Sequence, residues 1–254
     1  MKILLSPAKS LQLTDNLKAP LVTHANFLEE SEKLIKKLQK FSPKKIARQM
    51  SISQDLAELN HFRFQQWVKP LEVSENIIPA IFAFNGEVYK GFDVLSLTEK
   101  ELLHAQESVF ILSGLYGVLR PLDLLYPYRL EMGTKWQISQ SQKNLYDFWR
   151  KKLTNYLKSE LAVDESIVNL ASTEYSKVID FKLLKNKVVT PVFKEFKNGD
   201  FKVVMMYAKH ARGAMARHII QNNLKEAEEL KLYNVDGYTY DEKQSTETEW
   251  IFVR

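Results

Sequence analysis

Short apolar segments of strand length alternate with stretches of helical spacing through the middle of the chain. Val109 to Leu112 and Ile167 to Ala171 are typical of buried strands, and Leu145 to Leu161 between them has the apolar spacing of a helix. Two further apolar runs flank Asn198-Gly199, a typical hairpin turn. Alternation favours parallel strands and the hairpin adds antiparallel ones, so we expect an α/β to α+β fold with a mixed β-sheet flanked by helices.

Nothing in the sequence marks a boundary between domains. The 254 residues contain no linker rich in Pro, Gly and Ser and no internal repeat. Hydrophobic residues make up 45% of the chain, which is enough to bury a sizeable core. We therefore expect a single domain over residues 1–254.

Two apolar segments in the first part of the chain are each followed by a loop that could contribute to a binding site. Lys2 to Leu5 predicts a strand that ends at Ser6-Pro7 and leaves Lys9 in the following loop. Ile77 to Phe84 predicts a buried strand followed by a turn-rich loop at 85–91. The charge of Lys9 can then face a cleft at the end of the first strand.

Composition excludes several kinds of site. The chain has no Cys, which removes thiolate metal centres, disulfides and thiol redox chemistry. It has 8 Gly and lacks the GxGxxG, GxxxxGK and GxSxG patterns. Its 5 His show no metal-ligand spacing. We expect no bound metal or cofactor.

The first residues also bear on localisation. Met1 to Ser10 lacks the apolar core of a signal peptide. The apolar runs elsewhere are much shorter than the roughly 18 residues that a membrane span needs. We expect a cytoplasmic protein with no membrane partner.

Charge is distributed unevenly along the chain. Lys and Arg number 36 against 31 Asp and Glu, a net charge of +5. Residues 33–48 contain seven cations and no acid, and residues 182–217 contain nine cations against two acids. Such asymmetry is typical of proteins with a polyanionic partner. For the first segment an ordinary solvated helix face is the alternative, since its lysines lie opposite an apolar stripe.

The stretch from Gly114 to Arg129 is dense in Gly, Pro, Tyr and Arg. Gly114 and Gly117 can turn the backbone so that amides around Tyr116 face a phosphate. Arg120 and Arg129 can each fork onto a phosphate or carboxylate. The alternative is a packed loop whose arginines pair with Asp123 and Glu131.

A second cationic cluster opens a helical stretch near residue 210. Lys209 and Arg212 are three residues apart and can converge on one anion, whereas Arg212 and Arg217 are five apart and diverge. Small residues among them allow a ligand or another backbone to approach closely. Close helix packing is the alternative.

Five strings resemble one known family along almost the whole chain. They are SPAKS at 6–10, NGEVYKGF at 85–92, LSGLYGVLRPLDLLYPYRLEMG at 112–133, NLASTEY at 169–175 and YAKHARGAMARHII at 207–220. Their order and content resemble the YaaA family of bacterial peroxide-stress-resistance proteins. The long central string makes chance similarity improbable.

The resemblance implies a fold particular to this family with a helix-hairpin-helix-like element. It also implies binding of double-stranded DNA in a basic cleft, without strict sequence preference, and a role in limiting free iron and oxidative DNA damage. The glycine turn at 114–120 is the segment that fits such a hairpin, which holds DNA through backbone amides and phosphates. The expected DNA- or anion-binding residues are Lys9, Gly114, Tyr116, Gly117, Arg120, Arg129, Lys209, Arg212 and Arg217.

Two alternatives stay open. The first is an enzyme acting on a nucleotide, nucleobase or other small anionic substrate in the same cleft, with Lys9 and Glu131 as the reactive groups. The second is direct iron binding, which would need carboxylates and histidines brought together by folding.

Overall fold

The structure, a computed structural model, describes residues 1–12, 19–69, 71–74 and 76–254. Its strands, in chain order, are β1 Lys2–Leu5, β2 Ser10–Leu11, β3 Thr23–His24, β4 Ile78–Pro79, β5 Phe84–Asn85, β6 Val109–Ser113, β7 Gly117–Leu119, β8 Asp123–Leu125, β9 Ile167–Asn169, β10 Val188–Lys197, β11 Asp200–Lys202, β12 Thr239–Asp241 and β13 Glu249–Val253.

The α-helices follow the same numbering along the chain. They are α1 Leu28–Leu38, α2 Pro43–Met50, α3 Gln54–Gln66, α4 Ala80–Ala83, α5 Glu87–Phe92, α6 Glu99–Ser108, α7 Leu145–Glu160, α8 Thr173–Ser176 and α9 Met205–Gln221. Short 3₁₀ turns lie at Val94–Ser96, Phe181–Leu183, Ala227–Leu232 and Val235–Gly237.

The main sheet is mixed and is built around β1. Its strand order is β12-β13-β10-β9-β1-β6-β7, with β11 paired to β10. β1 runs parallel to β6, in register at Ile3 and Val109, and parallel to β9, in register at Lys2 and Ile167. β10 is parallel to β9 and β13, whereas β7, β11 and β12 run antiparallel to their neighbours. The predicted mixed sheet flanked by helices is confirmed.

Burial explains why β1 occupies the centre. Ile3, Leu4 and Leu5 are all at most 1% exposed, as expected for a strand covered on both faces of a parallel sheet. The buried apolar side chains of the described residues join in one cluster that includes this strand. Two small sheets, β2-β5 and β3-β8-β4, lie beside the main one.

The sheet contains a topological switch point between β1 and β9. The next strand of this sheet after β1 is β6, on one side, whereas β9 is followed by β10, on the other side. The segments that follow β1 and β9 therefore leave the sheet in opposite directions, at the neighbouring carboxyl ends of the two strands. Ligand sites of α/β proteins lie in the crevice that such a divergence opens.

Helix caps agree with the sequence pattern. Thr98 caps α6, and its side chain and that of Glu101 form a reciprocal capping box. α1 buries the stripe Leu34, Ile35 and Leu38. These signals lie within a few residues of the helix ends that they define.

Two predictions around residue 80 are wrong. Ile77 to Phe84 is not one strand, because Pro79 ends β4 and a short helix, α4, separates it from β5. The expected loop at 85–91 is largely the helix α5. Buried apolar runs of this length do not distinguish a strand from a buried helix by periodicity.

Within the described ranges, no helix is both long enough and apolar enough to cross a membrane.

Candidate functional site

A cavity of about 270 Å³ lies at the carboxyl ends of β1 and β9. We call it the switch-point cavity. Its walls come from the loop after β1, the start of α5, the start of α8 and one face of α9. It is lined by Ser6, Pro7, Ala8, Lys9, Ser10, Asn85, Gly86, Glu87, Val88, Tyr89, Ser172, Glu174, Tyr175, Lys209 and Arg212.

The loop after β1 is fixed at both ends. Ser6 Oγ accepts a hydrogen bond from the amide of Ser172 at 2.8 Å, and the main-chain oxygen of Ser6 accepts one from the Tyr89 hydroxyl at 3.0 Å. Ser10 pairs with Asn85 in the β2-β5 ladder. Burial raises the pKa of Tyr89 well above its usual value, so its hydroxyl stays a neutral donor. Lys9 is thus held on an anchored turn.

α9 presents Lys209 and Arg212 to the cavity from the opposite side. Both line the same wall, as their three-residue spacing predicts. Lys209 is exposed and Arg212 is half-buried. Burial lowers the pKa of Arg212, and no charged group opposes that shift. Among the described residues, the Arg212 guanidinium makes neither an ion pair nor a hydrogen bond.

Arg129 and Lys9 share one carboxylate. Arg129 Nη2 lies 2.9 Å from Glu131 Oε1, and Lys9 Nζ lies 3.4 Å from the same oxygen. Glu131 is only 13% exposed, whereas the Lys9 side chain is 66% exposed. The three groups together carry one net positive charge, and Lys9 retains access to solvent.

Two further depressions lie in sequence beside the switch-point cavity, each sharing lining residues with the one before it. Through Lys9 and Glu174 the switch-point cavity adjoins one of about 520 Å³, which in turn shares Gln49 with one of about 470 Å³. We call the three together the basic groove. Its cationic side chains are Lys9, Lys37, Lys40, Lys45, Arg48, Arg129, Lys135, Lys209 and Arg212, and its acidic ones are Glu87, Glu131 and Glu174.

Arg120 and Arg217 do not line this groove. The Nε of Arg120 donates to the main-chain oxygen of Gln106 at 2.7 Å, and its Nη1 lies 3.6 Å from Glu160. Arg217 Nη1 lies 3.3 Å from Asp93. Both side chains are engaged by the protein itself. The packed-loop alternative, in which the arginines pair with Asp123 and Glu131, describes Arg129, whereas the guanidinium of Arg120 lies beside Glu160. The predicted divergence of Arg217 from Arg212 is seen.

The glycine turn at 114–117 joins two strands, β6 and β7. A helix-hairpin-helix hairpin at this position is therefore wrong. Gly114 packs against the Leu130 carbonyl, and Gly117, with φ of +71°, packs against the Trp149 ring. The three predicted residues of the turn, Tyr116 included, are buried, which leaves no exposed amide surface for a phosphate.

Tyr116 has an internal role. Its hydroxyl accepts hydrogen bonds from Trp67 Nε1 at 3.1 Å and from the Tyr126 amide at 2.9 Å. Its amide donates to Ser113 Oγ at 2.9 Å. A buried phenol needs such partners, so the aromatic residues of this string specify packing beneath the groove.

Sequence reasoning missed several residues of the groove. Arg48, Lys37, Lys40 and Lys45 belong to the acid-free segment 33–48, for which a solvated face was the ordinary explanation. Their convergence with Lys135 depends on tertiary packing, but the absence of acids was a usable signal. Ser172 and Glu174 belong to the string NLASTEY at 169–175. Its position at the end of the predicted strand before it was a signal that these residues could belong to the site.

Metal-ligating side chains are dispersed. Over the described ranges, no three His, Asp or Glu side chains approach closely enough to form a metal site.

A family model described as peroxide stress protein YaaA matches residues 1–244. A UPF0246 protein of Aliivibrio fischeri strain MJ11 is 48% identical, over 100% of this chain and 98% of its own length. UPF0246 proteins of Janthinobacterium sp. strain Marseille and Shewanella oneidensis are each 47% identical over 100% of this chain and 98% and 99% of their own lengths. The chain belongs to the family of the peroxide stress protein YaaA.

Proposed function

We propose that this protein acts in the response to peroxide stress by binding duplex DNA along the basic groove, through phosphate contacts that tolerate different base sequences. The observation that carries the proposal is the charge of the groove. Nine cationic side chains line it against three acidic ones, whereas the whole chain has a net charge of only +5. A continuous excess of cations along one surface is the electrostatic pattern of proteins that follow a nucleic-acid backbone.

The exposure of the groove cations suits phosphates. Seven of them are exposed to solvent: Lys9, Lys37, Lys40, Lys45, Arg48, Lys135 and Lys209. Within the described residues, Lys9 alone of the seven has an acidic partner within 4 Å, namely Glu131. Flexible exposed cations neutralise phosphates and release the counterions condensed on DNA, without reading base edges.

Counterion release also connects DNA binding with protection from peroxide. A protein that neutralises phosphates displaces the cations condensed on DNA, and we infer that iron is among them. Iron displaced from DNA no longer reacts with hydrogen peroxide beside the bases. Binding along the groove thereby limits oxidative damage, whereas the limit on free iron that the family resemblance implies stays a prediction.

Fluorescence anisotropy of a labelled duplex over a salt series tests the proposal. The logarithm of the affinity is expected to fall linearly with the logarithm of the salt concentration, with a slope of about 0.9 for each phosphate contact. Duplexes of different sequence are expected to give similar slopes. An affinity that does not change with salt contradicts the proposal.

Two neighbouring lysines of α1 provide a matched pair of variants. Lys37 lines the groove, whereas Lys36 lies 3.0 Å from Glu32 and does not. Lys37→Ala is expected to flatten the salt slope by about 1, and Lys36→Ala to leave it unchanged. Equal effects of the two substitutions would mean that general charge, and not the groove, holds the DNA.

The alternative of an enzyme acting on a small anionic substrate stays a prediction. One observation favours a small ligand in addition to DNA, namely the switch-point cavity with the half-buried Arg212 in its wall.

A further inference from the structure

The switch-point cavity differs from the rest of the basic groove in size and shape. Its volume of about 270 Å³ lies just below the range of roughly 300 to 1,000 Å³ that is usual for drug-sized ligands. Its position at the diverging carboxyl ends of β1 and β9 is where α/β sheets place small ligands. A molecule that fills the cavity is therefore small. It passes the exposed side chains at the mouth, such as Lys9, and reaches the half-buried Arg212.

Arg212 is the residue behind the rim that lacks a partner. The side chain is half-buried, and burial alone lowers its pKa. A cation removed from water is costly unless an anion or several acceptors replace the lost solvation. Among the described residues the guanidinium forms no hydrogen bond and no ion pair, and it keeps some access to solvent. A bound anion would therefore replace water as its partner.

The acids in the cavity wall are already engaged. Glu87 Oε1 lies 2.6 Å from Lys90 Nζ, and Glu174 Oε1 accepts the Gly133 amide at 3.0 Å. Among the described residues neither acid forms an ion pair with Lys209 or Arg212, although Lys209 lies close enough to help lower the pKa of Glu87. Lys9, Lys209 and Arg212 thus face two carboxylates in the wall, one of which is paired with Lys90, so the cavity keeps an excess of positive charge. A dianion balances two positive charges, and a guanidinium fork with an ammonium beside it suits the oxygens of a phosphate.

The close fit of α9 on α5 fixes this geometry. A Cβ atom at Gly213 would overlap the Val88 carbonyl oxygen, and one at Gly91 would overlap the His210 carbonyl oxygen. The two helices touch along their backbones, and this contact holds Arg212 beside the start of α5. A preorganised cation loses little conformational freedom when an anion binds.

The remaining walls combine polar groups with a larger apolar surface. Hydroxyl and amide groups come from Ser6, Ser10, Asn85 and Ser172, and apolar surface comes from residues such as Pro7. Such a lining suits a sugar, whose hydroxyls can meet the polar groups and whose carbon–hydrogen surface can meet the apolar ones.

We propose that the switch-point cavity binds a small phosphate monoester of sugar-phosphate size, with the phosphate on Arg212 and Lys209 and the hydroxylated part against the serines. This binding does not depend on DNA. The site belongs to one molecule of the chain and needs no metal ion.

Isothermal titration calorimetry with ribose 5-phosphate tests the inference, with ribose as the matched neutral probe. Ribose 5-phosphate is expected to bind with saturation, and ribose is expected to give no binding up to roughly 10 mM. Arg212→Met keeps the length of the side chain and removes its charge, and it is expected to weaken binding at least about tenfold. Arg217→Met, on the same helix but paired with Asp93, is the control and is expected to bind as the wild type does.

Two results would overturn the inference: absence of saturable ribose 5-phosphate binding by the wild type, or equal affinity of Arg212→Met and wild type. If Arg212→Met does not fold by circular dichroism, Arg212→Lys takes its place. It keeps the charge without the fork and is expected to bind several-fold more weakly. The DNA salt series on the same preparation separates the two proposals, since DNA binding that persists without ribose 5-phosphate binding overturns only this inference.

Discussion

Gly213 in α9 lies directly against the main-chain carbonyl of Val88 in α5, so that a Cβ atom at this position would overlap the carbonyl oxygen. Gly213→Ala is expected to force the helices apart and to lower the free energy of unfolding by about 1–3 kcal/mol. Because Arg212 is the adjacent residue, the same substitution is expected to weaken ribose 5-phosphate binding. Urea denaturation and calorimetry measure the two effects.

Gly199→Ala provides the control for that substitution. Gly199 has φ of +81° and open space around it, so an alanine there is strained by about 1 kcal/mol through its backbone alone. It is expected to reduce stability without changing ligand binding. If Gly199→Ala lost ribose 5-phosphate binding, or if Gly213→Ala bound it as the wild type does, the contact between α5 and α9 would not be what holds the cavity in its binding geometry.

The shared carboxylate of Glu131 predicts a gain in DNA affinity. Glu131→Gln removes one negative charge from the groove and releases Lys9 and Arg129, which lie 3.4 and 2.9 Å from it. The salt slope of DNA binding is expected to steepen by up to about 0.9 for each cation that then reaches a phosphate. Glu247→Gln removes an acid that does not line the groove and is expected to change nothing. Weaker DNA binding by Glu131→Gln would mean that the carboxylate positions the two cations.

Local signals predicted much of the fold. The short apolar run that ends at Ser6-Pro7 predicted β1, and Asn198-Gly199 predicted the hairpin of β10 and β11. Pro79 shows the limit, because a buried apolar run gave no sign of the short helix that follows it. Structure that depends on signals within a few residues can be predicted from sequence. Structure that depends on tertiary burial, such as α4, cannot.

The candidate site follows the same division. The three-residue spacing of Lys209 and Arg212 placed both on one face of α9. Sequence could not show that the glycine turn at Gly114 is buried beneath Trp149, whose Nε1 donates to the Gly114 carbonyl at 2.9 Å. Nor could it bring Arg48 beside Lys135, since a groove between distant segments exists only after folding.

Arg120 is expected to affect stability and not DNA binding. Its Nε donates to the Gln106 carbonyl, and its guanidinium lies 5.7 Å from the centre of the Phe110 ring. Arg120→Met is expected to lower the free energy of unfolding by about 1–2 kcal/mol, since a hydrogen bond from a charged donor is lost. Its anisotropy salt slope is expected to equal that of the wild type, and a flatter slope would return Arg120 to the list of phosphate contacts.

The last prediction concerns pH and two half-buried histidines. Burial is the main cause that lowers the pKa of His104 and of His218 below 6.5. A histidine with a lowered pKa in the folded state binds its proton more readily when the protein unfolds. The unfolded state then holds more protons between the folded pKa and 6.5, and stability falls as the pH decreases through that window.

The free energy of unfolding from urea titrations is therefore expected to decrease as the pH is lowered below about 6.5, before the carboxylates titrate. His218 packs its ring edge-on against Tyr233 at 5.2 Å, in a space that a neutral amide can occupy. His218→Gln is expected to reduce the pH dependence, and the double variant with His104→Gln to reduce it further. An unchanged slope in the double variant would assign the acid sensitivity to other groups, since neither imidazole would then be taking up a proton on unfolding.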